Sequence, residues 1–237
     1  RSRARELKVP EASYAQCLGQ LMANRRGLAV AGTHGKSTVT AMAARILDSA
    51  GHDPTVICGA VPDGRQTGGR LGHGHLVLVE ACEYLRNFLH LSPELAVVLN
   101  IEADHFDCYA GLEEVHQAFN DFARRVRTGG VLLVHDSLAS GPALRAAAAS
   151  AGARLETFGA GPDAVWRSVD LGPGEQGRYA FTLTRRGQQI CRVRLAVPGW
   201  HNAVNALAAA ALAAHCGASA AEIEHGLCTF SGLRRRM

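Results

Sequence analysis

Apolar residues fall into short runs over the first two thirds of the chain, and stretches with helical spacing separate these runs. The four runs without a polar interruption lie at residues 28–31, 76–79, 95–99 and 131–134. Such runs are typical of strands covered on both faces of a sheet. Shorter segments at 55–58 and 154–158 predict two further strands.

Helices are predicted between these strands by apolar residues at helical spacing. They cover residues 13–24, 36–49 and 112–126, and another begins at Ser137. Strands alternating with helices predict an α/β fold, a phosphate-loop-type sheet that is mostly parallel and flanked by helices.

The pattern changes after about residue 160. Segments 165–169, 179–184 and 189–197 are separated by Gly-Pro-Gly and Arg-Arg-Gly turns, which predicts a small antiparallel sheet. Two alanine-rich helices follow at 201–215 and 219–228. Residues 59–74 are rich in glycine and predict a surface loop.

Composition narrows the classes of protein. With 237 residues, 47% of them hydrophobic and 19% charged, the chain has ample material for a core and is not of the disordered type. The net charge is only +4, and the few aromatic residues (5%) are not interleaved with basic ones, so we expect no nucleic-acid partner. No apolar run approaches the ~20 residues that span a bilayer, so we also expect no membrane partner.

The seven cysteines are scattered and form no Cys-x-x-Cys pair. This indicates reduced, mostly buried thiols in a cytoplasmic protein. The chain does not begin with methionine and stops just after a basic cluster, so we expect it to be part of a longer protein.

The sequence Gly-Thr-His-Gly-Lys-Ser-Thr at residues 32–38 connects the first clear strand to a helix. Glycine-rich strand–loop–helix connections bind phosphate through backbone N–H groups, a lysine and a hydroxyl that reaches Mg²⁺. The usual spacing of such loops requires a glycine where Val30 stands. The shortened form argues against a phosphate-loop kinase or NTPase switch.

Other polar residues follow strands at the same predicted sheet edge. Glu80 and the segment 102–107 lie there, where open parallel sheets bind ligands. Ser37 and Glu80 offer the oxygen ligands that Mg²⁺ prefers. Two alternatives to magnesium binding remain open: Glu80 as a solvated strand end, and His105 as a cap of a strand end. For His105 the alternative arises because imidazole is a less typical magnesium ligand.

His201, Asn202 and Asn205 open the first alanine-rich helix. The two asparagines are three residues apart and share a helix face. They form either a helix cap with one further polar position or an amide pair that binds a purine edge, and the spacing leaves both open.

Five stretches, in the same order, resemble motifs of the Mur ligases over residues 27–236. They are the loop at 31–38, Glu-Ala-Cys-Glu-Tyr at 80–84 with Phe-Leu-His-Leu at 88–91, Asn-Ile-Glu-Ala-Asp-His-Phe-Asp at 100–107, Pro-Gly-Trp-His-Asn-Ala-Val-Asn-Ala at 198–206, and Phe-Ser-Gly-Leu-Arg-Arg-Arg at 230–236. The forms at 80–84 and 101–105 are most similar to the branch that adds L-alanine to UDP-N-acetylmuramate in peptidoglycan synthesis.

The resemblance implies a three-domain enzyme. Residues 1–26 would be the tail of a UDP-sugar-binding domain, residues 27–233 the central ATP-binding domain, and residues 234–237 the start of the linker to a C-terminal domain. ATP would phosphorylate the carboxylate of UDP-N-acetylmuramate, and the amine of L-alanine would attack the acyl phosphate.

Residue roles are likewise implied by the resemblance. Lys36 would hold the β- and γ-phosphates, Ser37 would bind the first Mg²⁺, and Glu80 and His105 would position Mg²⁺ near the carboxylate. The rest of the nucleotide site would consist of Gly32, Thr33, His34, Gly35 and Thr38 in the loop, His201, Asn202 and Asn205 on the adenine side, and Arg235 or Arg236 at the hinge.

Two features depart from the family pattern. Several relatives support a second metal with a carbamylated lysine, whereas the lysines here are only Lys8 and Lys36. Leu85 stands where many relatives carry a charged residue. Alternatives to the alanine-adding ligase are a ligase that attaches a preformed peptide, a phosphate-loop kinase or NTPase, and a nucleotide-binding module without catalysis.

Overall fold

The computed structural model describes residue 3 and residues 6–104, 107–138 and 141–234. Its helices from residue 14 onward are α1 Tyr14–Ala23, α2 Lys36–Ser49, α3 Leu112–Ala123, α4 Pro142–Ser150, α5 Trp200–His215 and α6 Ala220–Cys228. Its strands are β1 Arg26–Ala31, β2 Thr55–Ile57, β3 Gly69–Arg70, β4 Leu76–Glu80, β5 Leu95–Val98, β6 Val131–His135, β7 Arg154–Gly159, β8 Trp166–Pro173, β9 Arg178–Arg185 and β10 Gln188–Pro198.

The ten strands of the described residues belong to one sheet, in the order β10-β9-β8-β7-β6-β5-β1-β4-β2-β3. The neighbouring strands from β8 through β2 pair in parallel. Strands β9, β10 and β3 add antiparallel pairings at the two sides. The predicted mostly parallel α/β fold is confirmed, and the predicted antiparallel strands extend the main sheet.

The sheet separates two hydrophobic cores. Helices α2, α5 and α6 cover one face, and α1, α3 and α4 cover the other. Strand β1 lies between them: Leu28 and Val30 point into the first core, and Ala29 and Ala31 point into the second. This burial on both faces explains why the central strands are uninterrupted apolar runs.

The register aligns the carboxyl ends of the three central strands. Val30 of β1 pairs with Glu80 of β4 and with Val97 of β5. The connections that follow β1, β4 and β5 therefore leave the sheet at one edge, as the sequence predicted.

Local differences from the sequence prediction have identifiable causes. The residues around Ser137 form a short 3₁₀ turn, and α4 begins only at Pro142, because proline suits the first turn of a helix. Two residues within the predicted loop 59–74 form the edge strand β3.

The seven cysteines, all within the described residues, form no disulfide. Only Cys58, Cys191 and Cys216 are buried, so the expectation of mostly buried thiols is wrong. Burial raises the pKa of Cys191 and of Cys216 to about 11.

A polar cluster is buried between β7, β8, β9 and the end of α5. Glu156 accepts hydrogen bonds from Trp166 Nε1 at 2.8 Å and His215 Nε2 at 2.9 Å. The Arg185 guanidinium lies 3.4 Å from the same carboxylate and 4.6 Å from the Trp166 ring centre. The cluster fixes the C-terminal end of α5 to the sheet.

Within the described residues, no helix is both long enough and apolar enough to cross a bilayer.

Candidate functional site

The phosphate loop joins β1 to α2 through two glycines with positive φ. Gly32 has φ +144°, and a Cβ there would lie 2.9 Å from Leu99 Cβ. Gly35 has φ +85°, and its Cβ would lie 2.6 Å from Asn205 Oδ1. Because L side chains rarely adopt this backbone conformation, both positions require glycine for the close passage of the loop.

The segment after β5 fastens the rim of the loop. Asn100 Oδ1 accepts a hydrogen bond from the His34 backbone N–H at 2.7 Å, and Asn100 Nδ2 donates to His34 O at 3.2 Å. Thr33 Oγ1 accepts from the Glu102 N–H at 2.9 Å. The exposed His34 ring lies 3.7 Å from the Glu102 carboxylate. These contacts hold the loop amides in a fixed cradle.

Lys36 begins α2, as predicted, and its ammonium group turns back over the loop. Nζ donates to Gly32 O at 2.6 Å, to Thr33 O at 3.0 Å and to Glu83 Oε1 at 2.8 Å. The Lys36 side chain is 13% exposed, and the Glu83 side chain is 2% exposed. The positive charge therefore lies at the centre of the loop with a buried carboxylate beside it.

Ser37 and Glu80 lie together beneath the loop. The Ser37 hydroxyl donates to Glu80 Oε1 at 2.8 Å, and Glu80 Oε2 accepts from the Gly59 N–H at 2.6 Å. Cys58 Sγ lies 3.6 Å from the same Oε2. The solvated-strand-end interpretation of Glu80 is wrong, because its carboxylate is tied to the loop helix and to the connection after β2.

The donor set at this point fits Mg²⁺. A hydroxyl and a carboxylate are hard oxygen ligands, and Mg²⁺ is usually held by one or two carboxylates together with phosphate oxygens and water. Among the described residues, no group of three or more His, Cys, Asp and Glu side chains could hold a metal ion by itself. A magnesium ion here would depend on oxygens from a bound phosphate.

The start of α5 approaches the loop from the other side. The Asn205 carboxamide packs on Gly35, and its Nδ2 lies 3.4 Å from Asn202 Oδ1. Asn202 Nδ2 donates to Pro198 O at 2.7 Å, and the His201 ring packs on Gly199. Two of the three predicted residues thus form a chain of contacts to the loop, while His201 lies beside the turn that precedes the helix.

Of the remaining predicted site residues, Thr38 is described by the structure and the other three are not. Thr38 is half-buried in the first turn of α2. His105, Arg235 and Arg236 lie outside the described residues. The chain that leads to the two arginines runs beside residues 61–63, since the Arg234 N–H donates to Val61 O at 2.9 Å.

The sequence did not predict the site contacts of Glu83, Asn100 and Cys58, although the first two residues lie inside recognised motifs. Glu83 belongs to the 80–84 segment and Asn100 to the 100–107 segment, but only the fold brings them to Lys36 and His34. Cys58 carried no local signal, because a single cysteine after a short strand has no diagnostic spacing.

These elements define an α/β domain of the phosphate-loop type. It combines a parallel sheet, a glycine-bracketed loop with Lys36, the Ser37–Glu80 pair and the amide-bearing start of α5. The sequence profile of the Mur ligase middle domain matches residues 30–213. The chain belongs to the Mur ligase family, which confirms the resemblance of its motifs.

Curated relatives and solved structures agree with this assignment. The chain is 41% identical over 236 residues to the UDP-N-acetylmuramate–L-alanine ligase of Thiobacillus denitrificans, covering 98% of the chain and 50% of the relative. Against the ligase of the same name from Syntrophotalea carbinolica, it is 36% identical, covering 96% and 49%. The chain spans about half the length of these curated relatives.

Two solved structures share the whole fold. The UDP-N-acetylmuramate:L-alanyl-γ-D-glutamyl-meso-diaminopimelate ligase (MPL) from Neisseria meningitides has a TM-score of 0.83 at 27% identity, covering 99% of this chain and 75% of that one. UDP-N-acetylmuramate–alanine ligase MurC from Thermotoga maritima has a TM-score of 0.79 at 25% identity, covering 99% and 52%.

Proposed function

We propose that this chain is the ATP-binding middle domain of a UDP-N-acetylmuramate–L-alanine ligase of peptidoglycan precursor synthesis. The observation that carries the proposal is the phosphate loop with Lys36 at its centre and the Ser37–Glu80 pair beneath it. The curated relatives at 41% and 36% identity bear that name. Residues 1–26 would then end a UDP-sugar-binding domain, 27–233 form the middle domain, and 234–237 begin the linker to a C-terminal domain.

ATP binding would use three parts of the chain. The loop from Gly32 to Thr38 would surround the β- and γ-phosphates with backbone N–H groups, and Lys36 would neutralise their charge. His201, Asn202 and Asn205 would face the adenine side, because Asn205 already contacts the loop at Gly35. Arg235 or Arg236 would complete the site from the hinge.

Ser37, Glu80 and His105 would hold Mg²⁺, which supplies positive charge where phosphate and carboxylate meet. The reaction needs that charge because the sugar carboxylate must approach the γ-phosphate, and both groups are anions. Lys36 and the loop amides would stabilise the charge on the transferring phosphoryl group. The amine of L-alanine would then attack the acyl carbon, forming the amide as phosphate leaves with the carboxylate oxygen.

Flanking domains of the same parent chain would supply the two other substrates. Closure of these domains over the edge of the sheet would exclude water, which otherwise hydrolyses an acyl phosphate. ATP and a UDP-linked sugar as substrates support a cytoplasmic location. No nucleic acid or membrane has a role in this scheme.

The rival within the same chemistry is a ligase that attaches a preformed peptide, since MPL shares the fold with a TM-score of 0.83. The test is ADP release by the full-length protein with UDP-N-acetylmuramate, measured with L-alanine, with a preformed peptide, or with neither. We expect ADP release that needs both UDP-N-acetylmuramate and L-alanine. Peptide-dependent release would support the rival, and ADP release without either substrate would contradict the ligase.

A further inference from the structure

We propose that Glu83 is a positioning residue for Lys36: its carboxylate holds the lysine ammonium in the loop and opposes the binding of nucleotide polyphosphates. The inference rests on the proposed function, because it takes Lys36 as the phosphate-binding cation. It adds a role for a buried carboxylate that the ligase scheme above does not use.

The contacts of Lys36 occupy all of its donors. An ammonium group has three hydrogens, and here they are directed at Gly32 O, Thr33 O and Glu83 Oε1, at 2.6, 3.0 and 2.8 Å. To bind a phosphate oxygen directly, Lys36 must give up at least one of these acceptors. Glu83 is the acceptor that carries a full negative charge, so its hold on the ammonium is the strongest.

Burial makes this charge effect large. The Glu83 side chain is 2% exposed and that of Lys36 is 13% exposed, so water screens their attraction poorly. A phosphate that reaches Lys36 also comes close to the Glu83 carboxylate. The carboxylate therefore weakens phosphate binding twice, by competing for the ammonium and by repelling the phosphate.

Neighbouring contacts fix the backbone that carries Glu83 beside the loop. Leu85 and Arg86, which follow it, both have positive φ, +50° and +56°, a conformation that persists only when neighbouring contacts enforce it. Tyr84 Oη donates to Asp107 at 2.9 Å. Tyr109 Oη donates to the Glu83 carbonyl, and burial raises the Tyr109 pKa to about 12, so the phenol remains a donor.

The consequence concerns release as well as binding. Both ATP and ADP carry the β-phosphate that Lys36 would contact, so Glu83 raises the dissociation constant of each. Weaker binding would speed ADP departure, and product release is the step that limits turnover in many enzymes. AMP lacks the β-phosphate and would be insensitive to Glu83.

The experiment compares the dissociation constants of ATP, ADP and AMP for the full-length protein and its Glu83→Gln variant by calorimetry with Mg²⁺. Gln keeps the shape and an acceptor but removes the charge. We expect ATP and ADP to bind about tenfold more tightly, the effect of one favourable charge interaction of about 1.4 kcal/mol, with AMP unchanged. Glu113→Gln, an exposed carboxylate of α3, is the matched control and should change none of the three.

Unchanged or weaker ADP binding by a folded Glu83→Gln protein would overturn the proposal. Equal tightening of AMP would overturn it too, because that result indicates a general structural effect. If Glu83→Gln does not fold, the same measurement is made on Glu83→Asp, whose shorter side chain moves the charge away from Lys36. We expect ATP and ADP to bind this variant more tightly than wild type, by less than in Glu83→Gln. Unchanged dissociation constants would refute the role of Glu83. Wild-type protein that binds neither ATP nor ADP would instead contradict the proposed function.

Discussion

Replacing Glu156 by glutamine should destabilise the protein, because this carboxylate is the shared acceptor of the buried cluster that fixes α5. Its side chain is 4% exposed, and it accepts from Trp166 at 2.8 Å and His215 at 2.9 Å. Hydrogen bonds to a charged acceptor contribute about 1.5–3 kcal/mol each. Both donors share the oxygen Oε2, so a glutamine oxygen can retain both contacts. They nevertheless lose the charged acceptor, and the glutamine NH₂ group at the position of Oε1 faces the Arg185 guanidinium, which is itself a donor.

The expected loss in the free energy of unfolding is about 2–4 kcal/mol. For a chain of this length, that corresponds to a fall in Tm of roughly 5–15 °C. Calorimetry and urea unfolding of the full-length protein measure it, with the exposed Glu175→Gln as the control. A loss below about 1 kcal/mol would refute the reasoning, since the cluster would then behave like a surface ion pair.

The same cluster predicts how stability depends on pH. Burial lowers the pKa of His215. Burial opposes ionisation of Glu156, but hydrogen bonds from Trp166 and His215 outweigh it and lower the Glu156 pKa. In both cases the unfolded chain binds the proton more readily, so stability falls as pH drops, first below about 6.5 and then below about 4.5. Tm measured from pH 7.5 to 5 should decrease, and the decrease should be smaller in His215→Gln; equal slopes would argue against the assignment.

Three further variants test the loop itself. Lys36→Ala should abolish measurable ATP binding in calorimetry, because the loop amides alone cannot balance the phosphate charge; retained binding would contradict its role. Glu80→Gln should raise the Mg²⁺ concentration needed for half-maximal ADP formation, and an unchanged requirement would remove Glu80 from the metal site. Gly35→Ala should weaken ATP binding, because an L side chain is strained at φ +85° and its Cβ would collide with Asn205 Oδ1 at 2.6 Å; unchanged binding would contradict the need for glycine at this position.

Much of the fold was predictable because the strong signals are local. Helix α2 begins and ends at the predicted residues 36 and 49, since a glycine-rich loop precedes it and a glycine follows. The central strands are uninterrupted apolar runs because both faces are buried. Edge strand β3 carries no such signal: Gly69 and Arg70 are half-buried or exposed, and their pairing with β2 decides their conformation.

The site was predictable only where its residues are neighbours in sequence. Gly35, Lys36 and Ser37 could be assigned because one loop contains them. The Lys36–Glu83 ion pair joins residues 47 positions apart, and the Asn100 clamp on His34 joins residues 66 apart. Both contacts form because the carboxyl ends of β1, β4 and β5 are aligned in the sheet. This strand register arises only when the sheet folds.

The most direct test of the central claim follows oxygen through the reaction. The full-length protein is supplied with UDP-N-acetylmuramate that carries oxygen-18 in its carboxylate, together with ATP, Mg²⁺ and L-alanine, and the released phosphate is analysed by mass spectrometry. A ligase that forms an acyl phosphate transfers a carboxylate oxygen to phosphate, so we predict one labelled oxygen in each phosphate released with amide formation. Amide formation with unlabelled phosphate would contradict the account.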